Sequence, residues 1–443
     1  MCLINNILLA LVGELSSTKL KVLSQICKSI LTCSNKITML EISRYTEVAY
    51  RTVQRFFSLK DIVWEKLNLC LFKRFVWNKD KVFLIAADEV VEKKSGKKTF
   101  GLSHFFSNIE KQAIPAISFM NMSLVDVIQR KSYPMITKQL VKPEKEKKTT
   151  NVTEKEPKAK RSKGRPKGSK NKPKESSTDI QYTILETLLK TLKELLIANL
   201  NLFPCLYLTL DGYFGNQHYM RLAKKYSVDL ISKLKCNSAL FFAWEGKTKG
   251  RGHPPKYGEK VNVKNLHSKY HKASKIEDKF QYDFYQMHLW SKNYTEAMLN
   301  VVVIICKNLK TKSTSHCILF STDLELSHDK IVEYYGLRFQ IEFNFRDAKQ
   351  YFGLADFKNY KEVQVTNAVN LAFFMCNFSY ILTKDFKELF NVEVVSILDL
   401  KTYYRTEFIA KATLELKNKG KKALHFLNPF QIFTIAKNQA VNF

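Results

Sequence analysis

Residues Tyr334 to Phe352 read YYGLRFQIEFNFRDAKQYF. On a helix that turns about 100° per residue, Tyr335, Arg338, Glu342 and Lys349 fall at roughly 0°, 300°, 340° and 320°, one narrow stripe. Beside it Leu337, Ile341, Phe345, Ala348 and Phe352 fall between roughly 200° and 280°, the apolar face that such a helix presses into a core. A phenol, two cations and a carboxylate therefore line up at a core's edge. Taken alone, the pattern also suits a salt-bridged surface face with Arg-Glu pairing across one helical turn, and the rest of the chain has to separate the two.

The chain has 443 residues, of which 45% are hydrophobic, enough for two or three domains with a sizeable core. Its 72 Lys and Arg against 41 Asp and Glu give a net charge of +31, and self-repulsion on that scale points to a polyanionic partner, nucleic acid first. The basic residues are spread along the chain instead of being gathered on one amphipathic helix, which disfavours a membrane-surface protein. No run approaches the roughly 18 apolar residues of a membrane span. The N-terminal MCLINNILLALVG lacks a basic region before its apolar stretch, so no signal peptide is expected. Nine cysteines occur singly, without any C-x-x-C pair, which suits reduced thiols in a cytoplasm-like compartment and disfavours a zinc site.

The first 78 residues read as helical. Within them Thr38 to Phe57 divides into two short helices broken near Tyr45 and Thr46, with a capping box formed by Thr38 and Glu41. Leu40, Ile42, Val48, Val53 and Phe56 would form a small core, leaving Tyr50, Arg51, Gln54 and Arg55 outward. That is the layout of a helix-turn-helix whose second helix enters the major groove, although a plain helical subdomain has the same pattern. From Lys81 the apolar run VFLIAA leads to Asp88, as a buried strand delivering a carboxylate at its end would. Further strands are expected at Gly101 to Phe106 and Ala116 to Val125. Residues 142 to 175 carry 14 Lys and Arg against 5 Glu and too few apolar side chains to fold alone. Inside them Gly164-Arg165-Pro166-Lys167-Gly168 resembles an AT-hook, an extended Arg-Pro segment for a narrow minor groove; a linker making only phosphate contacts is the alternative.

A helix follows around Ile184 to Leu196. A strand from Leu206 to Leu210 then ends in Asp211-Gly212, a pair that by itself signals only a tight turn. Strands are expected at Val228 to Ile231 and Ala239 to Trp244, and a strand-containing insertion at 246 to 314. His253, His267, His271 and His288 lack a ligand-like spacing, and metal ligation by them is not expected. Val365 to Tyr380 reads as an apolar helix, followed by a basic, mostly helical tail.

Two strand-borne aspartates and a glutamate on a helix, in a chain charged to bind DNA, fit phosphodiester chemistry. Two Mg²⁺ ions about 3.5 to 4 Å apart activate one oxygen and stabilise the other, and hard carboxylate oxygens hold them. The chain here resembles the bacterial insertion-sequence DDE transposases, whose last acid lies in a Tyr-x2-Arg-x3-Glu-x6-Lys motif. Tyr335, Arg338, Glu342 and Lys349 match that spacing without a gap, and Asp88 and the Asp211-Gly212-Tyr213-Phe214 element resemble the family's two aspartates. Glu89 and Glu92 compete with Asp88 for the first position, and Asp88 is preferred as the acid at the strand's end.

The resemblance implies an α/β fold: a ribonuclease-H-like mixed-sheet catalytic core with a strand-rich insertion, an N-terminal helix-turn-helix-like domain and a helical C-terminal tail. The corresponding boundaries are 1–78, 79–141, 142–178 (the basic linker), 179–245, 246–314, 315–385 and 386–443. It implies Asp88, Asp211 and Glu342 as catalytic, metal-binding acids for two Mg²⁺ ions, with Mn²⁺ able to substitute. Tyr335, Arg338 and Lys349 are implied as phosphate holders. Implied too are double-stranded DNA as partner, a homodimer on DNA, a bacterial cytoplasmic location, and cut-and-paste transposition through a freed 3′-OH and hairpin ends. Arg165 and Lys167, with the four outward residues of the second short helix, are the further candidate DNA contacts. The competing functions are a catalytically inactive, transposase-derived DNA-binding protein and a stand-alone nuclease of the same fold.

Overall fold

The computed structural model describes residues 3–107, 110–143, 180–246 and 255–419. Five helices come first: α1 (Leu3–Leu8), α2 (Ser17–Thr32), α3 (Met39–Arg44), α4 (Tyr50–Phe57) and α5 (Trp64–Phe75). Strands β1 (Phe83–Lys93), β2 (Ser103–Ser107), β3 (Gln112–Asp126) and β4 (Lys131–Leu140) lead to α6 (Ile180–Leu200), β5 (Tyr207–Leu210) and α7 (Gln217–Lys225). Seven strands follow: β6 (Asp229–Leu234), β7 (Leu240–Ala243), β8 (Tyr257–Lys260), β9 (His271–Glu277), β10 (Phe280–Ser291), β11 (Tyr294–Asn308) and β12 (Thr314–Ser321). The described chain ends with α8 (His328–Leu337), α9 (Gln340–Tyr351), α10 (Glu362–Phe390) and α11 (Ile397–Lys419).

All twelve strands join one mixed sheet, in the order β2-β3-β1-β5-β6-β12-β11-β10-β7-β8, with β4 on β3 and β9 on β10. One end of it is antiparallel, β1 pairing with β3 and β3 with β4, and is extended toward the middle by β5 parallel to β1 and β6 parallel to β5. The order β4-β3-β1-β5-β6 is that of a ribonuclease-H-like core. Residues 246–314 had been expected as an insertion, and their strands β10 and β11 continue the same sheet through β12 and β6.

Period-two alternation assigns the two faces. Along β1, Leu84, Ala86 and Val90 pack into one core, while Ile85 and Ala87 pack into the other. The first core is built with α8, α9 and α10 and the N-terminal helices, the second with α6 and α7. On α9's side the sequence stripe holds throughout: Leu337, Ile341, Phe345, Ala348 and Phe352 are all buried.

Four expectations change. The stretch from Tyr334 to Phe352 is not one helix but α8 and α9, joined by a tightened turn in which Arg338, Phe339, Ile341 and Glu342 N–H groups donate to carbonyls three residues back. Gly336, a poor helix former, precedes that break. Asp88 does not end its strand, because β3 keeps pairing with β1 as far as Lys93. What ends near Asp88 is the parallel pairing with β5, at Ala87 and Leu210. Leu40 lies outside the small helical core and is exposed, since α3 has only six residues and turns Ile42 inward instead. Strand β4, interrupted by Pro134, carries no clean alternation in sequence and was not anticipated.

Helix α10 has the length and composition of a membrane span, but 89% of its most apolar window is buried inside the fold. Its asparagines hold the N-terminal helices. The Trp64 Nε1 donates to Asn367 Oδ1 at 2.8 Å, and Asn367 Nδ2 donates to the carbonyls of Phe57 and Leu59 at 2.9 and 2.8 Å. The α3–α4 pair is fixed in the same way to the loop after α9, where Gly353 adopts φ +81° against Ile37. A Cβ at Gly353 would stand 2.7 Å from the Ile37 Cβ. Gly353→Ala is therefore expected to lower the unfolding free energy by about 2 kcal/mol, through left-handed strain and overpacking together, as measured by urea denaturation.

Candidate active site

The β1 and β5 strands run side by side and leave the parallel pairing together, so the residues that follow, Asp88 and Asp211, emerge as neighbours. Alternation turns both toward the face covered by α8 and α9, since Leu208 and Leu210 of β5 point to the other core. The α8–α9 turn sets Arg338 against them. Its Nη1 donates to Asp88 Oδ2 at 3.0 Å, and its Nη2 stands 3.5 Å from Glu342 Oε1 and 3.9 Å from Asp211 Oδ1. One guanidinium thus faces three carboxylates contributed by two strands and a helix. The Arg338 side chain is only 12% exposed, whereas Asp211 and Glu342 are 48% and 41% exposed, so the acids border an opening with the guanidinium at its floor.

Tyr335 completes the group, with the Arg338 guanidinium carbon 5.9 Å from its ring centre. Burial pushes the Tyr335 phenol up to about 12, against the opposing effect of Arg338, so it is a neutral hydrogen-bonding group at ordinary pH. Burial likewise raises the Asp88 carboxyl to about 6; the Glu89 N–H and Arg338 pull it down, and Asp211 and Glu342 push it up. The pocket carries two negative charges in excess of its one cation, inside a chain of net charge +31.

The competing acids of β1 separate by strand face. Glu89 points the other way, accepting from Ser118 Oγ and from Gln181 Nε2 of α6, both at 2.5 Å. Glu92 shares the Asp88 face but lies two strand repeats on, buried, with Lys349 Nζ 2.5 Å from its Oε1. Lys349 also donates to the Val91 carbonyl at 3.3 Å. The four motif residues therefore divide: Tyr335, Arg338 and Glu342 gather around the aspartates, and Lys349 neutralises a buried glutamate beside them. That pairing was missed in sequence, although the four-residue spacing of Asp88 and Glu92 on a strand signals a common face.

Tyr50, Arg51, Gln54 and Arg55 are all exposed on α4, the second member of the short helical pair. Arg165, Lys167 and the rest of the basic segment lie outside the described residues.

The donor set suits a hard divalent cation, being three carboxylates on one opening of the sheet. Asp88 meets the guanidinium at Nη1, Asp211 and Glu342 face its Nη2, and among the described residues no group of three or more Asp, Glu, His or Cys side chains is arranged to hold a metal ion.

A large mixed sheet flanked by helices, with acids placed where the parallel pairing of β1 and β5 ends, is consistent with a ribonuclease-H-like DDE fold. The chain belongs to the DDE superfamily endonucleases, whose family model matches residues 10–295, more than half of its length. Both aspartates lie within the match and Glu342 beyond it. No individual curated protein matches the chain.

The raised Asp88 carboxyl has a defined effect on stability. The folded group takes up its proton at about pH 6 and the unfolded one near 3.8, so Asp88 costs nothing below pH 3.8 and progressively more up to pH 6. Above that the cost levels off at roughly 2–3 kcal/mol. In chelator, Asp88→Asn is expected to match wild type at low pH and to exceed it in stability above pH 6, as read from denaturation midpoints across that range.

Proposed function

We propose that the protein is a DDE transposase that cuts DNA at the ends of an insertion sequence and joins the freed 3′-OH to target DNA. The observation that carries this reading is the convergence of Asp88, Asp211 and Glu342 on Arg338, three acids distant in sequence brought to one opening. In this proposal the three acids would hold two Mg²⁺ ions, or Mn²⁺ in their place, a pair that would supply activation of the attacking oxygen and stabilisation of the leaving one.

The chain's own residues supply the remainder. Arg338 is the resident counter-ion of the acids, and its planar fork would suit the phosphate at the cut. Tyr335 stays protonated and donates to the same phosphate, and a hairpin at the freed end would be held by this pair. Lys349, tied to Glu92, fixes the helix that carries Glu342 against β1 and offers charge at the edge of the opening. The exposed Tyr50, Arg51, Gln54 and Arg55 of α4 read the element's end, and Arg165 and Lys167 of the basic segment contact the minor groove. A homodimer pairing two ends in a bacterial cytoplasm completes the proposal. The domain boundaries given above are proposed with it.

Incubated with Mg²⁺ and DNA that spans the flanks of its gene, the protein is expected to cleave at the element boundaries. Glu342→Gln should slow cleavage by roughly a hundredfold or more, about 3 kcal/mol of barrier. Wild-type cleavage by that variant would overturn the assignment. Arg338→Ala should abolish end processing while tightening Mn²⁺ binding measured by calorimetry, because the acids lose the cation that competes for them.

A further inference from the structure

Away from the carboxylates, a cleft of about 320 Å³ opens between the α3–α4 pair and the segment that leads into α10. Tyr50 and Gln54 of α4 line one wall, and Lys358, Tyr360 and Lys361 line the other, with no acidic side chain among the lining residues. Tyr50 and Tyr360 are 41% and 53% exposed, and both lysines are exposed as well. The Lys361 Nζ lies 6.0 Å from the Tyr360 ring centre, so cation and aromatic face sit together. The volume is at the small end for a ligand cleft, which suits a single nucleotide of a strand passing over it and not a whole duplex.

The cleft is preformed. Ile37 N–H donates to Asp356 Oδ2 at 3.0 Å, Gln364 Nε2 donates to Ser58 Oγ at 3.0 Å, and Phe100 N–H donates to the Tyr360 carbonyl at 2.9 Å. These bonds fix both walls to each other and to the sheet side. The end of β1 grips the same segment: Lys94 Nζ donates to the carbonyls of Ala355 and Phe357 and lies 3.6 Å from the Phe357 ring centre. From Asp88 at the acids, β1 and the residue after it lead to Lys94, which holds the segment carrying one wall of the cleft, six residues or about 20 Å on.

We propose that this cleft binds one strand of double-stranded DNA, extending the contact of α4 onto Lys358, Tyr360 and Lys361. The lysines neutralise successive phosphates, and Tyr50 and Tyr360 pack against the sugar or base between them. Each nucleotide of a strand advances about 3.4 Å along the duplex axis, so the cleft holds the duplex about six nucleotides or more from the phosphate at the acids. Charge complementarity selects DNA: a net charge of +31, cations with no ion pair among the described residues, and four exposed polar or basic side chains on the adjoining helix. The rigid link through β1 would convert recognition by α4 into a fixed distance to the cut.

This inference rests on the endonuclease reading, and binding without metal separates the two. Full-length protein in chelator is titrated into a fluorescein-labelled duplex from the DNA flanking its gene, over a salt series, with anisotropy as readout. Replacing Lys358 and Lys361 together by Ala should weaken binding on the order of tenfold and lower the slope of log affinity against log salt by about 2. Tyr360→Ala should weaken binding with the slope unchanged, and Lys190→Ala on α6 should change neither quantity. Wild-type affinity and slope in the double variant would overturn the cleft assignment alone, as would a loss confined to single-stranded DNA. Failure of the wild-type protein to bind duplex DNA would overturn the assignment together with the endonuclease reading.

Discussion

Three carboxylates facing a single guanidinium repel one another, and Asp88 also loses water on burial, so the fold has to hold them there. Packing holds them from both sides: β1 and β5 are locked in register beneath the acids, and the apolar stripe of α9 fixes Arg338 and Glu342 above. Burial shields Arg338 while leaving Asp211 and Glu342 facing the opening. The result is a pocket of net negative charge on a strongly positive chain.

The same packing ties the N-terminal helices to the elements that carry the acids. Asn367 of α10 takes the Trp64 indole and caps the carbonyls of Phe57 and Leu59 at the end of α4 and just beyond it, and Gly353, just past the helix that bears Glu342, sits against Ile37. A helical pair that in sequence looks like a detachable module is thus seated on the loop that follows α9. Amide side chains suit this task because each satisfies backbone groups that would otherwise be buried without partners. Lys401 of α11 does likewise for the Ile30 carbonyl at 2.7 Å, and its burial lowers its ammonium to about 8.

Much of this was legible because local periodicity is a strong signal. The apolar stripe of Leu337 to Phe352, the strand runs before Asp88 and Asp211, and the break near Tyr45 all express which side chains face a core. Elements governed by long-range pairing were not legible. Strand β4 exists because β3 offers it an edge, and β1 continues past Asp88 because β3 continues beside it. The helix break at Arg338 escaped too, since a heptad-like count survives a tightened turn with little change of angle.

From the sequence alone came the kinds of groups present: three acids at apolar boundaries, a Tyr-Arg-Glu-Lys spacing and a charge suited to DNA. The order of residues determines such things because burial and alternation are local properties of the chain. Only the tertiary structure decided who meets whom. Glu89 faces away because a strand alternates, Lys349 is taken by Glu92 because that acid is buried beside it, and Arg338 rather than Lys349 became the partner of all three acids. Those outcomes depend on distances between strands and helices far apart in the chain, which no spacing along it can specify.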